Sequence, residues 1–254
     1  MRRSYTSPSA SSFAFGPGPM SPAVKLLIWA NVVMFVLTYV LFPSLQPYLG
    51  LVPALFLHRF FLWQPVTYLF IHGGFFHILF NMLVLWMFGV TLERVWGTRF
   101  FVKYYFICGI GAGATTILAS LTPFSFSLPM YYAVTIGASG AIYGLLVAYA
   151  MYFPDQPVYM YFLFPIPMKY FVLIIGGIAF FSSLSDVSNG IANFAHLGGL
   201  AVGYLYLSYL RGGSGFHPMS EIKYRYLKWK ISRVRRKFDV RPGGRTDDWD
   251  RRIH

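Results

Sequence analysis

Long apolar stretches separated by short polar joints run through most of this chain. Hydropathy and helix breakers predict six apolar helices, over 24–42, 73–92, 100–120, 138–153, 169–184 and 191–210. A helix rises about 1.5 Å per residue, so the longer stretches can cross a hydrocarbon core of about 30 Å. The pattern therefore predicts an all-α polytopic membrane protein with six transmembrane helices in a membrane domain over residues 24–210.

The segments between the predicted spans differ in character. Residues 43–71 are too aromatic for a water-exposed loop, so we expect this segment to lie in the outer interface. Residues 121–136 are uncharged and contain two prolines, which predicts irregular backbone that dips into the membrane under cover of protein. Residues 182–193 are polar and include Asp186, and we expect them to form a mobile outer cap.

Composition supports a membrane protein and argues against a nucleic-acid binder. Hydrophobic residues make up 56% of the 254 residues and charged residues only 11%. The net charge is +13, but thirteen of the twenty-one Lys and Arg lie from Arg211 onward. We expect 211–254 to form a basic cytoplasmic tail on the anionic inner surface, and 1–23 to be a disordered cytoplasmic segment. Cys108 is the only cysteine, which excludes a disulfide within the chain and a Cys-based metal site.

The positions of the cations predict the orientation. With the N-terminus inside, twenty Lys and Arg are cytoplasmic and only Arg59 is outside. This asymmetry favours an arrangement with both termini in the cytoplasm. Since no organellar targeting segment is evident, we expect a bacterial inner membrane.

Four polar side chains lie at similar depth in three of the predicted spans. Ser139 begins the helix that ends before Pro154, about 22 Å away. His196 lies about the same distance before Arg211. The second span has two more polar residues about 24 and 18 Å before its terminal charge, and these are His77 and Asn81. Polar groups in lipid usually face the interior of a bundle, so this layer predicts a functional site.

Glycines four residues apart occur in three spans, at Gly109 and Gly113, Gly140 and Gly144, and Gly199 and Gly203. Such pairs let two helix backbones approach closely. The last pair shares a helix face with His196, and Gly140 follows Ser139 directly. The sequence therefore predicts that Ser139 and His196 come close enough to form a hydrogen bond.

Ser139 and His196 are the residue types that acyl transfer requires. A serine hydroxyl becomes an effective nucleophile when a base accepts its proton, and a neutral histidine suits that task. A helix N-terminus at Ser139 presents backbone N–H groups to a developing oxyanion, and His77 and Asn81 can add side-chain donors. Close approach of a substrate carbonyl is eased by two flanking glycines, Gly137 and Gly140. This set predicts acyl transfer to water, with no metal or cofactor.

Three segments resemble the signatures of the rhomboid family of intramembrane serine proteases: Gly137-Ala-Ser-Gly140, Ala195-His-Leu-Gly-Gly199 and His77-Ile-Leu-Phe-Asn81. The resemblance covers residues 25–210. It implies a six-helix rhomboid-like bundle that cleaves transmembrane protein substrates within the lipid bilayer, using a Ser–His dyad without a third acid.

The same resemblance implies individual roles. Ser139 would be the nucleophile and His196 the general base, with the ring of Tyr143 packed against His196 to orient it. The oxyanion hole would consist of His77, Asn81 and the backbone amide of Ser139.

Two positions before the second span are less defined. His72 matches a histidine often found there in the family, without an assigned role. Trp63 is followed by Gln64, where some members have arginine, so the contacts of that arginine are not expected here.

Other interpretations of these residues remain open at this point. Asp186 could be a third catalytic acid, although its loop lies outside the expected layer. His72, His77 and His196 could bind a metal, although no HExxH motif or carboxylate pair accompanies them. An inactive rhomboid-like scaffold that binds membrane helices and a transporter with broken helices are the two rival functions.

Overall fold

The computed structural model describes residues 17–160, 164–185 and 190–210. Most of these residues are helical. In chain order the elements are α1 (Pro22–Phe35), α2 (Gln46–Leu49), α3 (Pro53–Arg59), α4 (Gln64–Thr67), α5 (Phe75–Val84), α6 (Val90–Trp96), α7 (Thr98–Ser120), α8 (Ser127–Tyr132), α9 (Ser139–Tyr152), β1 (Pro157–Met160), β2 (Phe164–Pro167), α10 (Met168–Ser185) and α11 (Gly190–Leu210). A π-helical segment, Val36–Leu41, extends α1, and a second, Leu85–Gly89, joins α5 to α6.

Among the described residues, three continuous helical segments are long and apolar enough to cross a membrane, namely Pro22–Leu41, Phe75–Trp96 and Thr98–Ser120. Ser139–Tyr152 and Met168–Ser183 are shorter apolar helices. The helices lie within a few residues of the six predicted stretches, and proline or glycine stands at several ends, such as Pro22 and Gly97. The mostly helical class is therefore confirmed, and six membrane crossings stay a prediction.

Two predictions were wrong in part, that of an all-α fold and that of irregular backbone over 121–136. β1 and β2 form an antiparallel hairpin between α9 and α10, in a stretch that carries no charged residue. The loop 121–136 is not wholly irregular, because α8 forms within it. The predictions for the N-terminal residues 1–16, the outer cap around Asp186 and the basic tail 211–254 lie outside the described residues.

The segment 43–71 is tied to the backbone that precedes α9. Leu51 and Thr135 exchange two backbone hydrogen bonds, of 2.9 and 2.8 Å, in an isolated antiparallel bridge. Gln64 is fully buried, where its Oε1 accepts from the backbone N–H of Val52 and its Nε2 donates to the carbonyl of Pro47. Gln64, at the position where the resemblance implies an arginine in some members, thus fastens the segment to itself through neutral hydrogen bonds. Location of the segment in the outer interface stays a prediction.

Glu93 holds the start of α1 against the turn between α6 and α7. Its carboxylate is buried and accepts hydrogen bonds from the hydroxyls of Ser21 and Thr98. It also accepts from the backbone N–H groups of Ala23, at 3.0 Å, and Val24, at 3.1 Å. A carboxylate from another helix therefore caps α1, where negative charge is favoured by the unpaired N–H groups.

α9 and α11 meet backbone to backbone at glycines. A Cβ at Gly199 would lie 1.9 Å from the carbonyl oxygen of Gly140, far closer than any real contact. One turn further along, a Cβ at Gly203 would lie 3.0 Å from the Cα of Gly144. The two predicted glycine pairs therefore face each other, and side chains at these positions would force the helices apart.

α7 completes a three-helix contact with α9 and α11. A Cβ at Gly144 would lie 2.5 Å from the side chain of Cys108, which is fully buried. The hydroxyl of Tyr104 donates to the carbonyl of Gly144 at 2.9 Å, so a side chain of α7 also bonds the backbone of α9. Close packing and this interhelical hydrogen bond hold α9 in place, as expected where lipid weakens the hydrophobic drive between helices.

We expect Gly199→Ala to destabilise the protein by about 3 kcal/mol, since the new methyl group meets backbone atoms that cannot rotate away. The measurement is unfolding by SDS in mixed micelles, followed by circular dichroism. Gly177→Ala in α10 is the matched control, because a Cβ there meets nothing within 4 Å. Equal stability of the two variants would contradict the contact between α9 and α11.

Candidate active site

Ser139 is the first residue of α9 and follows a strained turn. Gly137 has a φ of +119°, which L side chains rarely adopt, and its N–H donates to the carbonyl of Tyr68 at 2.9 Å. Ala138, between them, is fully buried. The turn thus directs the chain from the bridge at Thr135 into the helix and places Ser139 where the backbone N–H groups of the first turn have no helical partner.

His196 of α11 contacts Ser139. Its Nε2 lies 2.8 Å from the Oγ of Ser139, although the two residues are 57 positions apart. The ring of Tyr143, one turn along α9, stacks on the imidazole with centroids 4.2 Å apart and planes within 2°. Within the described part of the chain, Nδ1 of His196 has no hydrogen-bond partner. The geometry joins a hydroxyl to an imidazole whose orientation is restricted by an aromatic ring.

His77 and Ser139 both approach the position that a side chain of Gly137 would occupy. A Cβ at Gly137 would lie 2.8 Å from the Nε2 of His77 and 3.8 Å from the Oγ of Ser139. Nδ1 of His77 accepts a hydrogen bond from the backbone N–H of Gly73 at 3.4 Å. In a neutral imidazole this leaves the proton on Nε2. The ring can therefore offer an N–H donor beside the hydroxyl of Ser139.

Asn81 is buried below His77 on α5, as the spacing of four residues predicts. Its Nδ2 donates to the backbone carbonyl of His77 at 2.7 Å, within its own helix. This bond uses one of the two hydrogens on that nitrogen. The structure thus places Asn81 next to His77, with one amide hydrogen engaged in the helix and not in a contact with Ser139.

His72 packs edge-on against His77, with ring centroids 4.9 Å apart at an angle of 67°. It is fully buried, and neither ring nitrogen has a hydrogen-bond partner among the described residues. Burial, and secondarily the charge of His77, lower the pKa of His72 to about 3, so the ring is neutral at pH 7. His72 therefore supports the ring of His77 rather than reaching Ser139.

Tyr68 is a site residue that sequence reasoning missed. Its carbonyl accepts from the N–H of Gly137, and its hydroxyl donates to the carbonyl of Gly109 in α7 at 2.6 Å. A Cβ at Gly140 would lie 3.3 Å from the same hydroxyl. Tyr68 thereby joins the turn before Ser139 to α7, and its only signal in the sequence is an aromatic residue near the end of the segment 43–71.

A family model described as the Rhomboid domain matches residues 59–213 of the chain. Two curated relatives come from Bacillus subtilis. One, named putative rhomboid protease YdcA, is 33% identical over 150 residues, which are 58% of this chain and 66% of the relative. The other, named rhomboid protease GluP, is 32% identical over 142 residues, 56% of this chain and 25% of the relative.

A third relative, the mitochondrial rhomboid protein 1 of Saccharomyces cerevisiae, is 32% identical over 142 residues, 56% of this chain and 40% of the relative. The chain spans two thirds or less of the length of each of these three proteins. The similarity therefore concerns the membrane domain that carries the candidate site.

Gly137→Ala should cost more stability than Gly97→Ala. Both glycines have a positive φ, which strains any other residue by about 1–3 kcal/mol. A Cβ at Gly97 meets nothing within 4 Å, whereas one at Gly137 meets the ring of His77. The measurement is the same SDS unfolding, and equal losses in the two variants would contradict the packing of His77 against the turn.

Proposed function

The chain belongs to the rhomboid family, and on that premise we propose that it is an intramembrane serine endopeptidase. It hydrolyses a peptide bond in or near the transmembrane segment of a membrane-anchored protein. Ser139 is the nucleophile and His196 the general base. The observation that carries this proposal is the 2.8 Å contact between the Oγ of Ser139 and the Nε2 of His196, made by residues on two glycine-packed helices.

The acylation step uses both groups of this contact. The Oγ of Ser139 attacks the carbonyl carbon of the scissile bond while its proton moves to Nε2 of His196. The tetrahedral intermediate then collapses, the C–N bond breaks, and the imidazolium returns the proton to the leaving amine. Stacking on Tyr143 holds the imidazole in one orientation through both transfers. Proximity of this kind accounts for a large part of the rate gain of an enzyme.

Negative charge that develops on the substrate oxygen is stabilised at the start of α9. The backbone N–H of Ser139 lies at the helix N-terminus, where the helix dipole favours an anion. The Nε2–H of His77 is the second donor, and the remaining amide hydrogen of Asn81 is the third. Gly137 leaves the space between His77 and Ser139 that the oxygen requires, since a side chain at that position would fill it.

Deacylation repeats the chemistry with water. His196 takes a proton from a water molecule, the resulting hydroxide attacks the acyl-enzyme, and the Oγ of Ser139 leaves with the proton from the imidazolium. Water reaches the site from the outer side, and the substrate enters laterally from lipid and unwinds locally before attack. The protein lies in the membrane with both termini in the cytoplasm, as the distribution of Lys and Arg favours.

Ser139→Ala and His196→Ala should each reduce cleavage of a single-span model substrate on the order of a thousandfold or more, because each removes one partner of the dyad. The assay uses purified protein in vesicles with substrate in the same bilayer. Ser120→Ala is the control, since its hydroxyl bonds a carbonyl of its own helix, and it should retain cleavage. Retained cleavage in either dyad variant would refute the mechanism.

A serine-reactive fluorophosphonate separates an active protease from an inactive rhomboid-like scaffold. The unsubstituted chain should be labelled, and labelling should be lost in Ser139→Ala. A chain that folds and inserts but takes no label would favour the scaffold that binds membrane helices without cleaving them.

Tyr143→Phe should retain cleavage within a few-fold, whereas Tyr143→Ala should lose on the order of a hundredfold in kcat with little change in KM. The phenylalanine keeps the ring that stacks on His196, and the alanine frees the imidazole to rotate. The rate of fluorophosphonate labelling should fall in parallel in the alanine variant. A phenylalanine variant as inactive as the alanine variant would assign the effect to the hydroxyl instead.

A further inference from the structure

The hairpin between α9 and α10 is not used by the proposed chemistry, and its backbone pairing is unusual. β1 and β2 pair antiparallel, with Pro157 opposite Pro167, Val158 opposite Ile166, and Tyr159 opposite Pro165. Just outside the strands, the N–H of Met168 donates to the carbonyl of Gln156 at 2.9 Å. This bond sets the alternation of hydrogen-bonded pairs along the two strands. It thereby shows which residues direct their N–H groups toward the partner strand.

Directly opposite residues in an antiparallel pair alternate between hydrogen-bonded and non-hydrogen-bonded pairs. Since the pair of Gln156 and Met168 is bonded, the pairs at 158/166 and 160/164 are bonded too. The pairs at 157/167 and 159/165 therefore direct their backbone groups to the two outer edges. Three of these four outward positions are prolines, namely Pro157, Pro165 and Pro167. Among the eight strand residues, only Tyr159 has an N–H group to present at an edge.

Edges that together present a single N–H donor suit a lipid surface. Proline and charged side chains both protect exposed edges in water, but this stretch has proline without charge, since residues 156–168 contain no Asp, Glu, Lys or Arg. An unpaired N–H is costly in a low-dielectric medium, and proline removes that cost. The outward carbonyls still need donors, which water and lipid ammonium groups supply at headgroup depth. The same lack of donors disfavours the addition of a strand from a second protein.

The exposure and contacts of the hairpin side chains also fit a position in the membrane interface. Tyr159 is 61% exposed on one face of the hairpin, and Phe164, at the start of β2, is 65% exposed on the other face, which it shares with Val158. Val158, whose side chain points to the opposite face from Tyr159, packs against the hydrophobic core and holds the hairpin to the helices. An ion pair between Asp155 and Lys169 stands at the base of the hairpin. Aromatic rings favour the membrane interface, and the charged base marks the side toward water.

We propose that the hairpin β1–β2 is an interfacial anchor in the lipid headgroup region, whose strand ends at Met160 and Phe164 lie nearer the acyl chains than its charged base, so that Tyr159 and Phe164 contact lipid from its two faces. It fixes the depth of the connected ends of α9 and α10 in the bilayer. This inference is independent of catalysis, because it uses no residue of the candidate active site.

The test measures the depth of nitroxide labels at the hairpin. Tyr159→Cys and Phe164→Cys are labelled in the full chain and reconstituted in vesicles of phosphatidylethanolamine and phosphatidylglycerol. Gln156→Cys, exposed at the base of the hairpin, is the matched control. Cys108 is fully buried, and the unsubstituted chain checks that it takes no label. Collision with oxygen, which concentrates in lipid, is compared with collision with a water-soluble nickel chelate.

We expect the ratio of oxygen to nickel collisions to be several-fold higher at 159 and 164 than at 156. Equal and high nickel accessibility at all three positions would place the hairpin in water and overturn the proposal. Exclusion of both reagents at 159 and 164 would mean that protein, such as a second copy of the chain, covers the hairpin, and would overturn it as well.

Discussion

Contact between the backbones of α9 and α11 is the constraint on which the candidate site depends. The carbonyl of Gly140 fits against α11 because Gly199 has no side chain, and the lack of a side chain at Gly140 lets α9 lie against Ala112 of α7. Ser139 precedes one of these glycines, and His196 lies one turn before the other, so the hydroxyl and the imidazole meet as a result of helix packing. Tyr143 then fills the space beside the imidazole on the same two helices. Helix association and assembly of the dyad are therefore one event.

Much of this arrangement could be predicted from the sequence because membrane helices carry two simple signals. Apolar stretches that end in charges or proline give the depth of each polar residue, and glycines four apart show where backbones can approach. Together they predicted the contact of Ser139 with His196, which are 57 positions apart. The resemblance to a family added the stacking of Tyr143, which spacing alone could not suggest. The catalytic roles of these residues stay predictions.

Other features depended on contacts that local patterns do not encode. Asn81 lies near the carbonyl of His77 in its own helix, and this local bond competes with any role toward Ser139. The hairpin was missed because an uncharged stretch rich in proline has neither helical nor alternating periodicity. Tyr68 acts through its carbonyl as well as its hydroxyl, and backbone groups leave no mark in a sequence. In the sequence, Glu93 indicated only the end of a span. Its carboxylate accepts hydrogen bonds from residues at the start of α1, about 70 positions earlier, and a local pattern cannot show such a contact.

The capping of α1 by Glu93 has a consequence for biogenesis. The N–H groups of Ala23 and Val24 take their acceptor from a residue about 70 positions later, so the ribosome delivers α1 to the membrane long before its cap exists. This contact of the first helix can form only after Glu93, near the end of the second apolar segment, has been synthesised. Thr98 at the start of α7 donates to the same carboxylate, so the complete set of hydrogen bonds also requires the first residue of the third segment.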